Sequence, residues 1–225
     1  ARTYRQLRQA DFVLMGPGRP TYTVRQLKDS PIPEIMIELI NRGGCLVAAS
    51  AAALTTGKYT LPVYEIYKVG EPPHWVDGLD LLGAFGLPLV VIPHWNNAEG
   101  GTHDTSRCFM GSSRFEQLVD RLDEPLPVLG LDEHTACIID FNAASFTVHG
   151  IGTVVLQYGS AQRNFTPGNT YPLNLLGGEH GSDDVRVEES LQSAAPDQQP
   201  VPETDFWPLL HALTAEFQRG IEEDD

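Results

Sequence analysis

Cysteine is scarce in this chain. Cys45, Cys108 and Cys137 are its three cysteines, widely spaced and without a C-x-x-C pair, so neither a disulfide framework nor a cysteine-rich zinc site is expected. That usage fits a reducing, cytoplasmic setting. Long apolar runs are lacking too: none approaches the ~20 residues that span a bilayer, and the N-terminus has no charged-then-apolar leader pattern. A clustered basic stripe is also missing. The formal net charge is −15, and residues 179–225 hold 13 acids and 2 bases, a balance of −11 that leaves −4 for residues 1–178. Without basic clusters a chain cannot release phosphate counterions, so neither nucleic acid nor an anionic membrane is expected as a partner.

What remains is ordinary globular material. With 225 residues, 41% of them hydrophobic, the chain can bury a sizeable core as one domain with an appendage. Composition divides it into an α/β domain over 1–178, a Gly, Ser, Asp, Gln and Pro-rich acidic linker over 179–204, and a C-terminal amphipathic helix over 205–225. The helix carries Phe206, Leu209, Leu210, Leu213 and Phe217 at helical spacing. Such a face wants a partner: the sheet domain, a second copy in a homo-oligomer, or a further module. The chain opens at Ala1 without methionine, as a fragment or processed protein would.

The organising stretch is Gly43–Leu54. A short apolar strand ends in Ala48-Ala49-Ser50-Ala51-Ala52, followed by helix formers. A strand turning sharply into a helix holds the residue at the turn exposed at the carboxyl edge of the sheet. Small neighbours let the two backbones nearly touch, and the helix N-terminus favours developing negative charge. Ser50 is therefore the candidate nucleophile, with a simple N-cap as the alternative. Before it, Thr3–Ala10 reads as a helix, Asp11–Met15 as a strand, and Val24–Leu27 and Pro33–Arg42 as helices, so the order is that of a right-handed βαβ unit. Gly16-Pro17-Gly18 ends the first strand, either as a plain turn or with Gly16 or Gly18 offering an N–H to an oxyanion.

Two further segments carry chemistry. Thr60–Gly70 places Glu65 among tyrosines, a carboxylate that is either partly desolvated and in need of a partner or an outward-facing strand residue. Leu87–Pro93 reads as a buried strand delivering His94 and the polar loop to Arg107 at the edge where open α/β sheets bind ligands. A bond between Ser50 and His94 is geometrically plausible. Glu99, His103 and Asp104 with His94 are zinc-type donors, but their spacing matches no compact helical zinc motif, so no metal and no cofactor are expected. Farther on, Arg114–Leu122 reads as a helix, Val128–Leu131 and Ala136–Phe141 as strands, and Phe146–Leu156 as a hairpin with a glycine turn.

The strand before Gly16-Pro17-Gly18, the elbow at Ser50, Gly78–Leu82, Pro93-His94-Trp95-Asn96-Asn97-Ala98 and Gly130–Ala136 follow the landmarks of a known family. Over roughly residues 8–156 the chain resembles the peptidase E (aspartyl dipeptidase) and cyanophycinase family. That resemblance implies a three-layer α/β/α sandwich with a mostly parallel sheet, related to class I glutamine amidotransferases, and a serine peptidase triad in the chain order Ser, acid, His. Carried over, Ser50 matches the nucleophile, His94 the base, and Gly16 or Gly18 with the N–H of Ala51 the oxyanion hole. Glu65 is the acid chosen, with Glu71 as fallback. Asn96, Asn97, Glu99, His103 and Arg107 are the substrate-binding candidates, Arg107 either forking onto a substrate carboxylate or making a surface salt bridge. The implied substrate is a small peptide or isopeptide beside an aspartyl residue. Ala48 and Ala52 stand where the family's elbow carries glycine, and family members begin with another strand. The rival expectation is a non-catalytic binding or regulatory domain that keeps the fold.

Overall fold

Apolar residues run without a break through Leu89–Ile92, and each is buried, as a strand covered on both faces requires. The computed structural model describes residues 2–177. The expected linker and C-terminal helix lie outside them. In chain order the elements are α1 (Arg2–Gln9), β1 (Phe12–Met15), α2 (Pro20–Leu27), α3 (Ile32–Asn41), β2 (Cys45–Ala48), a 3₁₀ turn (Ser50–Thr55), β3 (Tyr59–Thr60), a π-helical turn (Glu65–Val69), β4 (Val76–Asp77), a 3₁₀ turn (Gly83–Phe85), β5 (Val90–Ile92) and α4 (Ser112–Val119). Then come β6 (Val128–Leu131), β7 (Thr135–Asp140), β8 (Ser145–Gly150), β9 (Val154–Tyr158), β10 (Ala161–Phe165), β11 (Thr170–Pro172) and a closing 3₁₀ turn (Leu173–Leu176).

The first half is built from parallel pairs. β1 lies beside β2 with Met15 opposite Ala48, and β5 beside β6 with Ile92 opposite Gly130. Between β1 and β2 the chain crosses through α2 and α3, whose Val24 and Met36 pack with Val13, Met15 and Leu46. Proline at the start of both helices supplies a fixed φ where no intrahelical N–H bond is needed. That is why α2 begins at Pro20, four residues before the stretch its apolar spacing marks.

The second half departs from the expectation of a mostly parallel sheet. β6 pairs antiparallel with β9, and β9 with β10, giving the four-stranded order β10-β9-β6-β5. β7, β8 and β11 form a separate antiparallel sheet in the order β11-β8-β7. Among the described residues antiparallel ladders therefore outnumber parallel ones. Phe146–Leu156 does not fold as one hairpin either, because Gly150–Thr153 carries the chain from one sheet to the other. β8 pairs back to β7, with Asp140 opposite Ser145, and β9 forward to β10.

Alternation along the strands sorts two cores. Val90, Ile92 and Val128 face Phe115 and Leu118 of α4 together with Leu61, Val63 and Ile66. Val91 and Leu129 face Phe146, Val148, Phe165 and Leu176. Helix covers one face of the four-stranded sheet and the second antiparallel sheet contributes to the other, a mixed α/β architecture in which helices do not form both outer layers around these strands. No helix of the described residues is long and apolar enough to cross a membrane.

Candidate active site

Three side chains meet beyond the carboxyl ends of three strands, each two residues past its strand. Ser50 follows β2, His94 follows β5 and Glu133 follows β6. The Ser50 hydroxyl is 2.8 Å from His94 Nε2, and His94 Nδ1 is 2.9 Å from Glu133 Oε1. A continuous hydrogen-bonded path thus runs from hydroxyl through imidazole to carboxylate.

Backbone geometry holds this path open. Ser50 and His94 both have φ of 53°, in the left-handed region that non-glycine residues enter at a cost of ~1–3 kcal/mol. Ser50 sits between Ala49, whose N–H donates to Met15 O, and buried Ala51, Ala52 and Ala53. Alanines at positions 48 and 52 therefore accommodate the turn. The structure starts a 3₁₀ turn at Ser50, tighter than the α-helix that the run of helix formers suggests. His94 is fixed by its carbonyl, which accepts from the N–H groups of Asn97 and Cys108.

Glu133, and not Glu65, is the carboxylate hydrogen-bonded to His94. Glu65 instead accepts from Thr21 Oγ1 at 2.7 Å and pairs with Arg19 Nε at 3.3 Å. Its other oxygen is buried without a hydrogen-bond partner. Glu71 lies near His74 Nε2, at 3.8 Å. The carboxylate that reaches His94 comes after the histidine in the chain, whereas the resemblance implies one before it. Glu133 Oε1 also accepts from Asn97 Nδ2 at 2.8 Å, and these bonds, Asn97 first and then His94, hold its carboxyl below the usual range. The Glu133 N–H donates to Asn96 Oδ1 at 2.8 Å. A signal for it was present in the sequence: Glu133 occupies the same place after its strand that drew attention to His94.

The polar loop is occupied with itself and with Glu133. Asn97 is buried at 3% exposure and accepts from the Glu99 N–H, while Asp104 takes the N–H groups of Ser106 and Ser112. Arg107 lies over the Trp95 ring, 3.9 Å from its centroid, and donates to Trp95 O. Glu99 and His103 are exposed. None of Asn96, Asn97, Glu99, His103 or Arg107 lines the cavity that opens on Ser50. Among the described residues no three His, Cys, Asp or Glu side chains gather as metal ligands.

That cavity measures about 190 Å³. It is bounded by Ser50, Ala51 and Leu54 on the elbow, Val63, Tyr64, Tyr67 and Lys68 on the π-helical segment, and His94, Cys108 and Phe109. Arg107, Cys108 and Phe109 are consecutive left-handed residues, with φ of 56°, 57° and 67°, a conformation usually visited singly. The turn is closed by Phe109 N–H to Thr105 O and Gly111 N–H to Ser106 O. It sets the Phe109 ring 6.0 Å from that of His94 and 5.4 Å from that of Tyr67. Gly16 and Gly18 are exposed, and the β1–β2 ladder ends one residue before Gly16, at Met15 opposite Ala48.

This fold is shared with a solved peptidase. The structure of a peptidase from an acI-B1 Actinobacterium superposes with a TM-score of 0.59 at 19% identity, over 76% of this chain and 63% of that one. A candidate peptidase E protein from Listeria monocytogenes EGD-e aligns over 73% of this chain and 63% of its own, at 15% identity and a TM-score of 0.41. The chain thus spans less than two thirds of the length of either. No family model matches the sequence, and no curated protein matches it.

Proposed function

We propose that this chain is a serine hydrolase of the peptidase E and cyanophycinase type, cleaving a small peptide or isopeptide bond beside an acidic residue. The observation that carries the reading is the unbroken path from Ser50 through His94 to Glu133, with Ser50 held in a left-handed elbow. Glu133 takes the role first given to Glu65.

In the first half-reaction Ser50 Oγ bonds to the scissile carbonyl carbon as its proton passes to His94 Nε2. Ionised Glu133 stabilises the imidazolium and fixes which nitrogen holds the proton. N–H groups at Ala51 and at Gly16 or Gly18 take the oxyanion, since the first N–H groups of a helix have no intrahelical acceptor. The C–N bond then breaks, and the leaving amine receives the proton from His94. In the second half, water gives a proton to His94 and its oxygen bonds to the acyl carbon. The ester to Ser50 breaks, the proton returns to Oγ, and a carboxylic acid leaves. Small peptides are the proposed partners, and a reducing cytoplasm the proposed setting.

The test is hydrolysis of a panel of α- and β-aspartyl dipeptides by the wild type and by Ser50→Ala. Turnover confined to the wild type is expected. No turnover by folded wild type, with Ser50 inert to a fluorophosphonate, would contradict the reading.

A further inference from the structure

The chain has three lysines. Lys28 pairs with Asp77 at 2.6 Å and Lys58 with Glu124. Lys68 pairs with no carboxylate among the described residues. Its ammonium lies 4.9 Å from the centre of the Tyr64 ring, and the residue lines the cavity that opens on Ser50. Apart from His94, it is the one side chain on that lining that can carry a positive charge, and no carboxylate lines the cavity at all.

Local backbone explains its position. The five-residue π-helical turn Glu65–Val69 ends at Gly70 in the left-handed region, φ 86°. Such turns widen a helix and redirect its side chains, often at functional sites. Here Ile66 is buried in the core, while Tyr64, Tyr67 and Lys68 border the cavity. Glu65 secures the segment from behind through Thr21 and Arg19.

We propose that Lys68 is the residue that selects a substrate with a carboxylate on its acyl side, the role expected of Arg107. This rests on the hydrolase reading above and names the specificity determinant of that same site. Three observations converge on it. First, Arg107 is already committed, stacked on Trp95 and bonded to its carbonyl, and does not line the cavity. Second, the cavity's ~190 Å³ lies below the ~300–1,000 Å³ of pockets for drug-sized ligands, so it suits a single residue-sized group. The group retained beside Ser50 after the amine departs is the acyl group. Third, the walls offer aromatic and aliphatic surface from Tyr64, Tyr67, Val63, Leu54 and Phe109 with one cation, a match for a short apolar stem ending in an anion. Residues 1–178 carry a formal net charge of −4, a mild repulsion of anionic substrates. Lys68, with no carboxylate partner among the described residues and its ammonium over the ring of cavity residue Tyr64, reverses the sign where the substrate would dock.

The experiment uses two fluorophosphonates of equal length, one ending in a carboxylate and one in a methyl group. Rates of Ser50 modification are read by mass spectrometry on the wild type, Lys68→Arg, Lys68→Gln and Lys68→Glu. The readout is the ratio of the two rates within each variant, which partial loss of folded protein leaves unmoved. The expected result is a wild-type preference for the carboxylate probe that Lys68→Arg retains. Lys68→Gln lowers the ratio about tenfold, the scale of one charge-assisted hydrogen bond, and Lys68→Glu lowers it further. Ratios equal across all four proteins would overturn the proposal while leaving the nucleophile intact. A wild type modified by neither probe would overturn the hydrolase reading and this proposal with it.

Discussion

Glu133 Oε1 stands 2.9 Å from His94 Nδ1 and accepts from Asn97 Nδ2 at the same time. One oxygen therefore orients the imidazole while a buried amide orients the oxygen. The Asn96 side chain, accepting from the Glu133 N–H, ties down the backbone behind it. Asn96 and Asn97 thus both bond to Glu133, and neither lines the cavity that opens on Ser50.

On the proposed hydrolase reading, Glu133→Gln is expected to lower kcat by about 10²–10⁴-fold, because an amide neither stabilises an imidazolium nor fixes its tautomer. Glu65→Gln, which keeps the shape of a residue bonded to Thr21, is expected to cost less than about tenfold. Steady-state kinetics on both variants check the assignment, and a larger loss at position 65 would reverse it.

The pH dependence follows from the same carboxylate. Glu133 is held below its ordinary value near 4.5, first by Asn97 and then by His94. A depressed carboxyl contributes stability that is complete above the unfolded value and is lost as pH falls through the folded one. Melting temperatures of the wild type and Glu133→Gln should therefore differ at neutral pH and draw together as pH falls through the folded-state value of Glu133. A gap that widens on acidification would contradict the bonding described.

Gly130 makes a packing prediction. A methyl group there would overlap the indole of Trp95, which is 3% exposed, packed edge-on against Phe115 and covered by Arg107. Trp95 has no room to retreat, and it adjoins His94. Gly130→Ala is expected to destabilise the fold by about 1–3 kcal/mol, the range for overpacking, and to slow Ser50 chemistry as well. Denaturant melts and probe-labelling rates on the same variant check both effects.

Thiol chemistry offers an independent check on the fold. Cys45 is exposed, whereas burial pushes the Cys108 and Cys137 thiols up to about 12. Under native conditions at pH 8 a thiol reagent should modify Cys45 quickly and the other two only after denaturation. Rapid native labelling of Cys108 would mean that the wall beside Phe109 is open.

Much of the candidate site's geometry, the Ser50–His94 contact above all, was legible in the sequence because its logic is local. An apolar run followed by a small-residue elbow marks Ser50, and a buried strand ending in a histidine marks His94; both depend on neighbours in the chain. Glu133 was harder, since its role depends on β6 lying beside β5, a contact between residues about 38 apart with Val90 opposite Val128. Glu65 bonds to Thr21 and Arg19 and not to His94 for a physical reason. Its aromatic setting does produce a desolvated carboxylate with partners, but those partners come from the start of α2. In the loop, polar groups at the strand edge satisfy one another, as Asp104, Ser106 and Ser112 do, which composition alone does not reveal. The second antiparallel sheet was only half visible, because alternation reveals a strand without revealing which neighbour it pairs with. At Gly150–Thr153 a glycine turn switches sheets instead of closing a hairpin.

The account stands most directly on whether Ser50 is a nucleophile activated through His94 and Glu133. The decisive measurement is the rate of fluorophosphonate modification of the whole chain, mapped by peptide mass, in the wild type, His94→Gln and Glu133→Gln. The account predicts a single adduct on Ser50 in the wild type, formed at least about 10²-fold more slowly in both variants. An adduct elsewhere, or a Ser50 rate that neither substitution changes, would contradict it.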